Sequence, residues 1–174
     1  EREAARSRIN HLRERATELE IQINEDLFSG ARVIASTLVS SNHRILTGRR
    51  FTTLFIDEAA QALEAACWIA IRKADRVIFA GDHCQLPPTI KCIEAARNGL
   101  EQTLMEKVAA NKQERVSLLK VQYRMHQSIM QFSSEWFYQG ELQAAPEVTN
   151  RGILDLDLPM SWIDTSEMEF HEEF

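Results

Sequence analysis

The segment 51-FTTLFIDEAA-60 runs from a β-branched, apolar stretch straight into two adjacent carboxylates, Asp57 and Glu58. Like charges this close repel, so the pair either supports a helix start or works on something positive. Similar layouts recur downstream: 76-RVIFAGD-82 ends on Asp82, and 116-VSLLKVQ-122 leads into Gln122, Tyr123 and Arg124. With 31-ARVIAST-37, these runs have the near-continuous apolar character of strands buried on both faces of a parallel sheet. Between them, 59-AAQALEAACWIAI-71 and 93-IEAARNGLEQTLMEKVAA-110 read as helices. Strands alternating with helices predict an α/β, doubly wound domain.

Residues 1–27 carry neither Gly nor Pro, and Ile9, Leu12, Ala16, Leu19 and Ile23 recur at spacings of three and four. That seam predicts an amphipathic helix packed on its own domain, in preference to an intermolecular coiled coil. Beyond residue 123 the segment 126–139 reads as a helix with aromatics near its end. The tail 153–174 alternates and then turns acidic, as if starting a second domain. The net charge of −6 argues against a broad basic face that coats nucleic acid, while leaving room for a narrow groove with a few placed donors. Cys67, Cys84 and Cys92 form an odd set without C-x-x-C spacing, which predicts a reduced, cytoplasmic or nuclear protein. No apolar run approaches the roughly 20 residues that span a bilayer.

In an open parallel sheet, ligands bind beyond the carboxyl ends of the strands. Three strand ends would then bring Asp57/Glu58, Asp82/Gln85 and Gln122/Tyr123/Arg124 to one rim. Phosphoryl chemistry needs these residue types. One carboxylate holds Mg²⁺, a second orients or deprotonates the attacking water, an amide bridges that water and the terminal phosphate, and an arginine neutralises developing charge. A tyrosine can offer a flat face to a base. Taken singly, Asp57 is equally an N-cap and Glu58 a first-turn carboxylate favoured by the helix dipole. The shared placement carries the functional reading.

The wording of these segments resembles a known family. FIDEAAQA, AGDHCQLPP and VQYRMH are similar, in order and spacing, to successive motifs of superfamily 1 helicases. The sequence GDHCQLPP, then QYRMH, then FYQGEL resembles their 5′-to-3′ branch, with its RNA-surveillance and immunoglobulin mu-binding helicases. The likeness covers about residues 31–145. It implies a RecA-like P-loop NTPase core: a helical stalk over 1–28, the C-terminal part of the first RecA-like domain over 29–120, and the start of the second over 121–174. It further implies that Asp57 binds the Mg²⁺ of ATP and that Glu58 is the catalytic base. Gln85 would sense the γ-phosphate, Tyr123 would lie against the nucleotide base, and Arg124 would reach the γ-phosphate from the second domain. Gln122 and Asp82 would border the nucleotide, Asp82 chiefly by shaping its loop. Ser36, Thr37 and Ser40, in the segment resembling the family's strand-contacting motif, could offer hydroxyls to the phosphates of single-stranded DNA or RNA. Gln127 stands where the family commonly has proline, a departure expected to affect the local helix start only.

No G-x-x-x-x-G-K-[ST] occurs in the 174 residues, so the backbone cradle and lysine for the β- and γ-phosphates are not supplied here. The reading is of a fragment, with that loop expected upstream of Glu1 and the rest of the second domain beyond Phe174. On its own the fragment is expected to hydrolyse ATP negligibly. A degenerate paralogue that kept the fold, a non-catalytic protein-interaction module using residues 1–27 and the acidic tail, and a P-loop enzyme of another kind are the alternatives. His83, Cys84, Cys92 and Cys67 do not match a structural zinc spacing. Cys67 and Cys92 are expected as small hydrophobes, Trp136, Phe137 and Tyr138 as core rather than base-stacking residues, and Arg49 and Arg50 as solvated loop charges in preference to phosphate contacts.

Overall fold

In the computed structural model, residues 2–152 and 158–166 are described; the rest of the alternating, acidic tail lies outside them. The chain divides into two compact units, Glu1–Lys112 and Gln113–Phe174.

The first unit opens with helix α1 (Arg2–Gly30). None of its residues is buried, and the seam residues Ile9, Leu12, Leu19 and Ile23 stay exposed. The expected packing of that seam on its own domain is therefore not found. The helix is tied down at its end instead. The Arg49 guanidinium donates to the Phe28 carbonyl at 3.1 Å and lies 6.0 Å from the Phe28 ring centroid. A cation suits the carbonyl end of a helix, where the dipole is negative. No helix among the described residues is long and apolar enough to cross a membrane.

Residues 31–37, expected as a strand, pair with nothing among the described residues, and Val33 is 86% exposed. Apolar character alone does not make a strand; a neighbour must complete the ladder. Two of the expected strands do pair. Strand β1 (Phe51–Ile56) lies parallel to β2 (Ala74–Phe79), in register from Phe51↔Ala74 to Ile56↔Phe79. A parallel pair needs a crossover, supplied by a 3-10 turn at Ala59–Gln61 and helix α2 (Glu64–Ile71). Ile56, Ala59, Cys67 and Leu104 form the buried cluster, with Leu54, Val77, Phe79 and Met105 packed around it. Cys67 thus behaves as the small hydrophobe expected, and burial pushes its thiol pKa up. Cys92, by contrast, is exposed.

The helix expected over 93–110 is broken. A short α3 (Ile93–Ala95) passes into a π-type turn at Ala96–Leu100, where Gly99 takes φ 95°, outside the helical range. The chain restarts as α4 (Leu104–Asn111) on a capping box: Thr103 Oγ1 accepts the Glu106 N–H, and the Glu106 carboxylate accepts the Thr103 N–H. Lys107 of α4 then reaches Glu64 of α2, Nζ to Oε2, at 2.6 Å. That bond first, and a second from Trp68, pull the Glu64 pKa below its ordinary value. A carboxylate whose folded pKa is depressed stabilises the fold above its unfolded pKa, and the contribution is lost as the pH falls through the folded value. Glu64→Gln should therefore be less stable than wild type in urea near about pH 7, with the gap narrowing as the pH falls below the ordinary carboxylate range. A gap of constant size across that range would refute the linkage.

In the second unit only Val121–Gln122 of the expected strand 116–122 pairs, as β3, parallel to β4 (Gln143–Ala144). Helix α5 (Gln127–Phe137) starts on His126, whose Nδ1 accepts the Ser128 N–H at 3.0 Å. The Gln127 N–H donates to the Thr149 carbonyl at 3.2 Å, a bond that proline could not make. The aromatics expected in the core are largely outside it. Phe132 and Trp136 stack on each other at 6.1 Å, and both are exposed, as is Phe137.

Candidate nucleotide site

The carboxyl ends of β1 and β2 are bound together by backbone. The Ala59 N–H donates to the Ala80 carbonyl at 2.9 Å, and the Ala80 N–H to the Ile56 carbonyl at 2.8 Å. Gly81 lies so close to the first of these turns that a Cβ there would sit 2.9 Å from the backbone nitrogens of Ala59 and Ala60. Only a residue without a side chain fits. The loop 57–60 and the loop 81–85 are consequently neighbours, and the expected Asp57/Glu58 and Asp82/Gln85 share one sheet end.

Neither carboxylate of the pair caps a helix. Asp57 Oδ1 accepts the N–H of Glu58, the very next residue, at 3.0 Å. Oδ2 accepts no hydrogen bond among the described residues, and the side chain is exposed. Glu58 adopts a left-handed backbone, φ 51° and ψ 38°, and makes no capping bond. For a residue with a Cβ this conformation costs of order 1–3 kcal/mol. The Gln61 amide donates to Glu58 Oε2 at 3.1 Å and steadies the carboxylate. The N-cap and first-turn explanations thus account for neither residue.

Asp82 spends both oxygens on its own loop: Oδ1 accepts the Cys84 N–H at 3.0 Å and Oδ2 accepts the Gln85 amide at 2.8 Å. This aims Gln85, whose side chain is exposed, and leaves its amide oxygen without a donor among the described residues. Donor atoms of Asp82, His83 and Cys84 lie within 4.8 Å of one another. Burial first, and the Asp82 charge second, push the Cys84 thiol pKa up. A protonated thiol and an occupied carboxylate make a poor metal set, because thiolate is the ligand form.

In the second unit, Gln122 shapes the turn that follows it. Its Oε1 accepts the N–H groups of Arg124 and Met125 at 2.8 and 2.9 Å, and its Nε2 donates to the Met125 carbonyl at 2.7 Å. Both amide ends are engaged, and the turn presents Tyr123 and Arg124 as exposed side chains. Ser36, Thr37 and Ser40 also form one exposed turn in the first unit. The Thr37 hydroxyl donates to Ser40 Oγ at 2.8 Å and accepts the Ser40 N–H at 3.2 Å, while Ser36 Oγ donates to the Thr37 carbonyl.

Two family models, each described as an AAA domain, match residues 1–92 and 100–173. The chain is 38% identical to DNA-binding protein SMUBP-2 of Rattus norvegicus over 175 residues, covering 92% of this chain and 18% of that protein. The chain belongs to the superfamily 1 helicases. Other members include DNA polymerase alpha-associated DNA helicase A of Saccharomyces cerevisiae, 34% identical over 194 residues (94% of this chain, 28% of that one). The regulator of nonsense transcripts 1 homolog of Arabidopsis thaliana is 39% identical over 146 residues (83% and 11%). This superfamily 1 helicase chain spans about a fifth of the first of these relatives. The family implies a RecA-like α/β fold, of which β1, β2 and α2 form one parallel crossover unit.

What the sequence did not bring together is Arg49 and Arg50 with Arg72 and Lys73, a group of cations at the other end of the same strands. A cavity of about 240 Å³ is lined by Asn42, Gly48, Arg49, Arg50, Arg72 and Lys73, with Ile69. A signal was available: 49-RR-50 and 72-RK-73 each immediately precede a strand, and parallel pairing from Phe51↔Ala74 sets them side by side.

Proposed function

We propose that the chain is part of the motor core of an ATP-dependent helicase or translocase that moves 5′-to-3′ on single-stranded DNA or RNA. The observation that carries this is the joint strand end, where Asp57 and Glu58 stand beside the Asp82–Gln85 loop and cap nothing. In this reading Asp57 holds Mg²⁺. The fit is chemical: a hard cation takes oxygen ligands, and Asp57 Oδ2 is exposed and unengaged among the described residues. The ion would supply charge neutralisation at the phosphates. Glu58 takes a proton from the attacking water, held in place by its left-handed backbone and by Gln61. Gln85, steadied by Asp82, offers its amide oxygen to that water.

Tyr123 lies against the nucleotide base and Arg124 reaches the γ-phosphate. Gln122 is assigned to holding the turn that presents them. Ser36, Thr37 and Ser40 give hydroxyl donors to backbone phosphates. Residues 29–120 and 121–174 then belong to successive RecA-like domains of doubly wound parallel type, and α1 is a stalk. In the full-length protein, ATP hydrolysis should rise at least tenfold with a single-stranded oligonucleotide, and a partial duplex with a 5′ tail should unwind in preference to one with a 3′ tail; the stimulation follows if strand binding completes the catalytic arrangement. Hydrolysis indifferent to nucleic acid would sink the motor reading.

A further inference from the structure

The cavity at the amino ends of β1 and β2 concentrates positive charge in an otherwise acidic chain. Arg49, Arg50, Arg72 and Lys73 line it, and among the described residues the one carboxylate paired to them is Asp75, which accepts from Arg50. Like charges set side by side ahead of neighbouring strands repel one another. Local structure explains part of the cluster. Arg49 is engaged with Phe28, Ser29 and Ile45 at the end of α1. Lys73 Nζ donates to the Leu46 carbonyl at 2.9 Å, and Arg72 caps the carbonyl end of α2, where a cation is favoured. None of this uses the Arg72 guanidinium, which has no hydrogen bond or ion pair among the described residues and is exposed.

The walls also say what kind of ligand fits. They hold guanidinium groups, an ammonium, the Asn42 amide and a single aliphatic side chain, with no aromatic face for a base. Sites for drug-sized ligands run from about 300 Å³ upward and are mostly apolar, so a cavity of about 240 Å³ with this lining suits a phosphate group rather than a nucleotide. Guanidinium forks match phosphate oxygens. One of the lining residues, Asn42, also belongs to the turn that follows Thr37. Asn42 closes the 3-10 turn Ser40–Asn42, which begins with Ser40, so the chain passes from the hydroxyl turn to the cavity wall within two residues.

We propose that this cavity binds a backbone phosphate of the single strand and extends the contact begun by Ser36, Thr37 and Ser40 around the amino end of the sheet. The inference rests on the motor reading above and adds to it a site remote from the carboxylates, about 20 Å away along a six-residue strand. The test uses the full-length protein and the variant Arg50→Gln/Arg72→Gln, which removes two exposed charges and should fold normally. Single-stranded oligonucleotide binding is measured across a salt series. Each phosphate contact contributes about 0.7 to the slope of log K against log salt for single strands, so loss of this one contact should make the variant's slope shallower by about 0.7.

Binding at low salt should weaken correspondingly, Arg50→Lys/Arg72→Lys should keep most of the slope, and hydrolysis without nucleic acid should not change. An unchanged slope in a protein that still shows stimulated hydrolysis overturns this site and leaves the motor intact. Loss of stimulation in wild type would instead strike the motor reading. Two further arms separate the sources of anion. Stabilisation by inorganic phosphate alone, or competition by poly-glutamate, together with an unchanged oligonucleotide slope would assign the cavity to free phosphate or an acidic peptide and refute the proposal.

Discussion

Glu58→Gln in the full-length protein should bind ATP as wild type does and hydrolyse it ~10²–10⁴-fold more slowly, the range attached to loss of a positioned general base. The substitution keeps the shape of the side chain and removes its capacity to take a proton. It also keeps an oxygen that can accept from Gln61, now 3.1 Å from Glu58 Oε2, so the geometry of the loop should persist. The backbone provides an internal control. Glu58 sits at φ 51°, a conformation that asparagine and glycine adopt more readily than glutamate. Were Glu58 only a turn residue, Glu58→Gly would relieve strain and stabilise the protein with turnover preserved. As the base, Glu58→Gly should stabilise or leave stability unchanged while turnover collapses to the level of Glu58→Gln. Wild-type turnover in either variant would remove Glu58 from the chemistry.

The parts of this site that were legible in the sequence are those fixed by local chemistry. The run 51–56 is a strand, Asp57 and Glu58 stand at its end, and 81–85 follows β2 in a loop that Asp82 shapes. Each follows from a short stretch whose residues contact one another. The misreadings have another character. Residues 31–37 and most of 116–122 are as apolar as β1, but strand formation requires a partner in the right place, and periodicity does not report partners. The α1 seam has helical spacing and forms a helix, yet spacing says nothing of what would cover Ile9 or Leu12. Trp136 and Phe137 failed as core residues for the same reason. At Gly99 the error was local: a glycine in a helical pattern was read through, although its permissive backbone is what lets the chain turn before Thr103 restarts the helix. The cationic cavity depended on register. Two basic dipeptides 23 positions apart (49 against 72) become one surface only once β1 and β2 align.

The second large effect is expected at Gly81, a residue with no functional group. Its Cα faces the turn after β1 so closely that an added methyl would meet Ala59 N and Ala60 N at 2.9 Å and Met105 Sδ at 3.0 Å. The methionine could swing away, but the two backbone nitrogens cannot, and one of them already donates to Ala80. Gly81→Ala must therefore push the loop 57–60 away from β2, stretching the Ala59–Ala80 bond and moving the carboxylates that immediately precede it. Overpacking of this kind costs about 1–3 kcal/mol, read as a lower urea midpoint. Displacing reacting groups by about 1 Å can cost ~10²-fold in rate, so hydrolysis should fall further than stability alone explains, including at temperatures where the variant is fully folded. Gly30→Ala is the matching control, since a methyl there meets nothing within 4 Å, and it should leave both readouts unchanged. If Gly81→Ala lost stability but kept full turnover when folded, the contact would serve packing alone, and the two loops would not be acting as one catalytic edge.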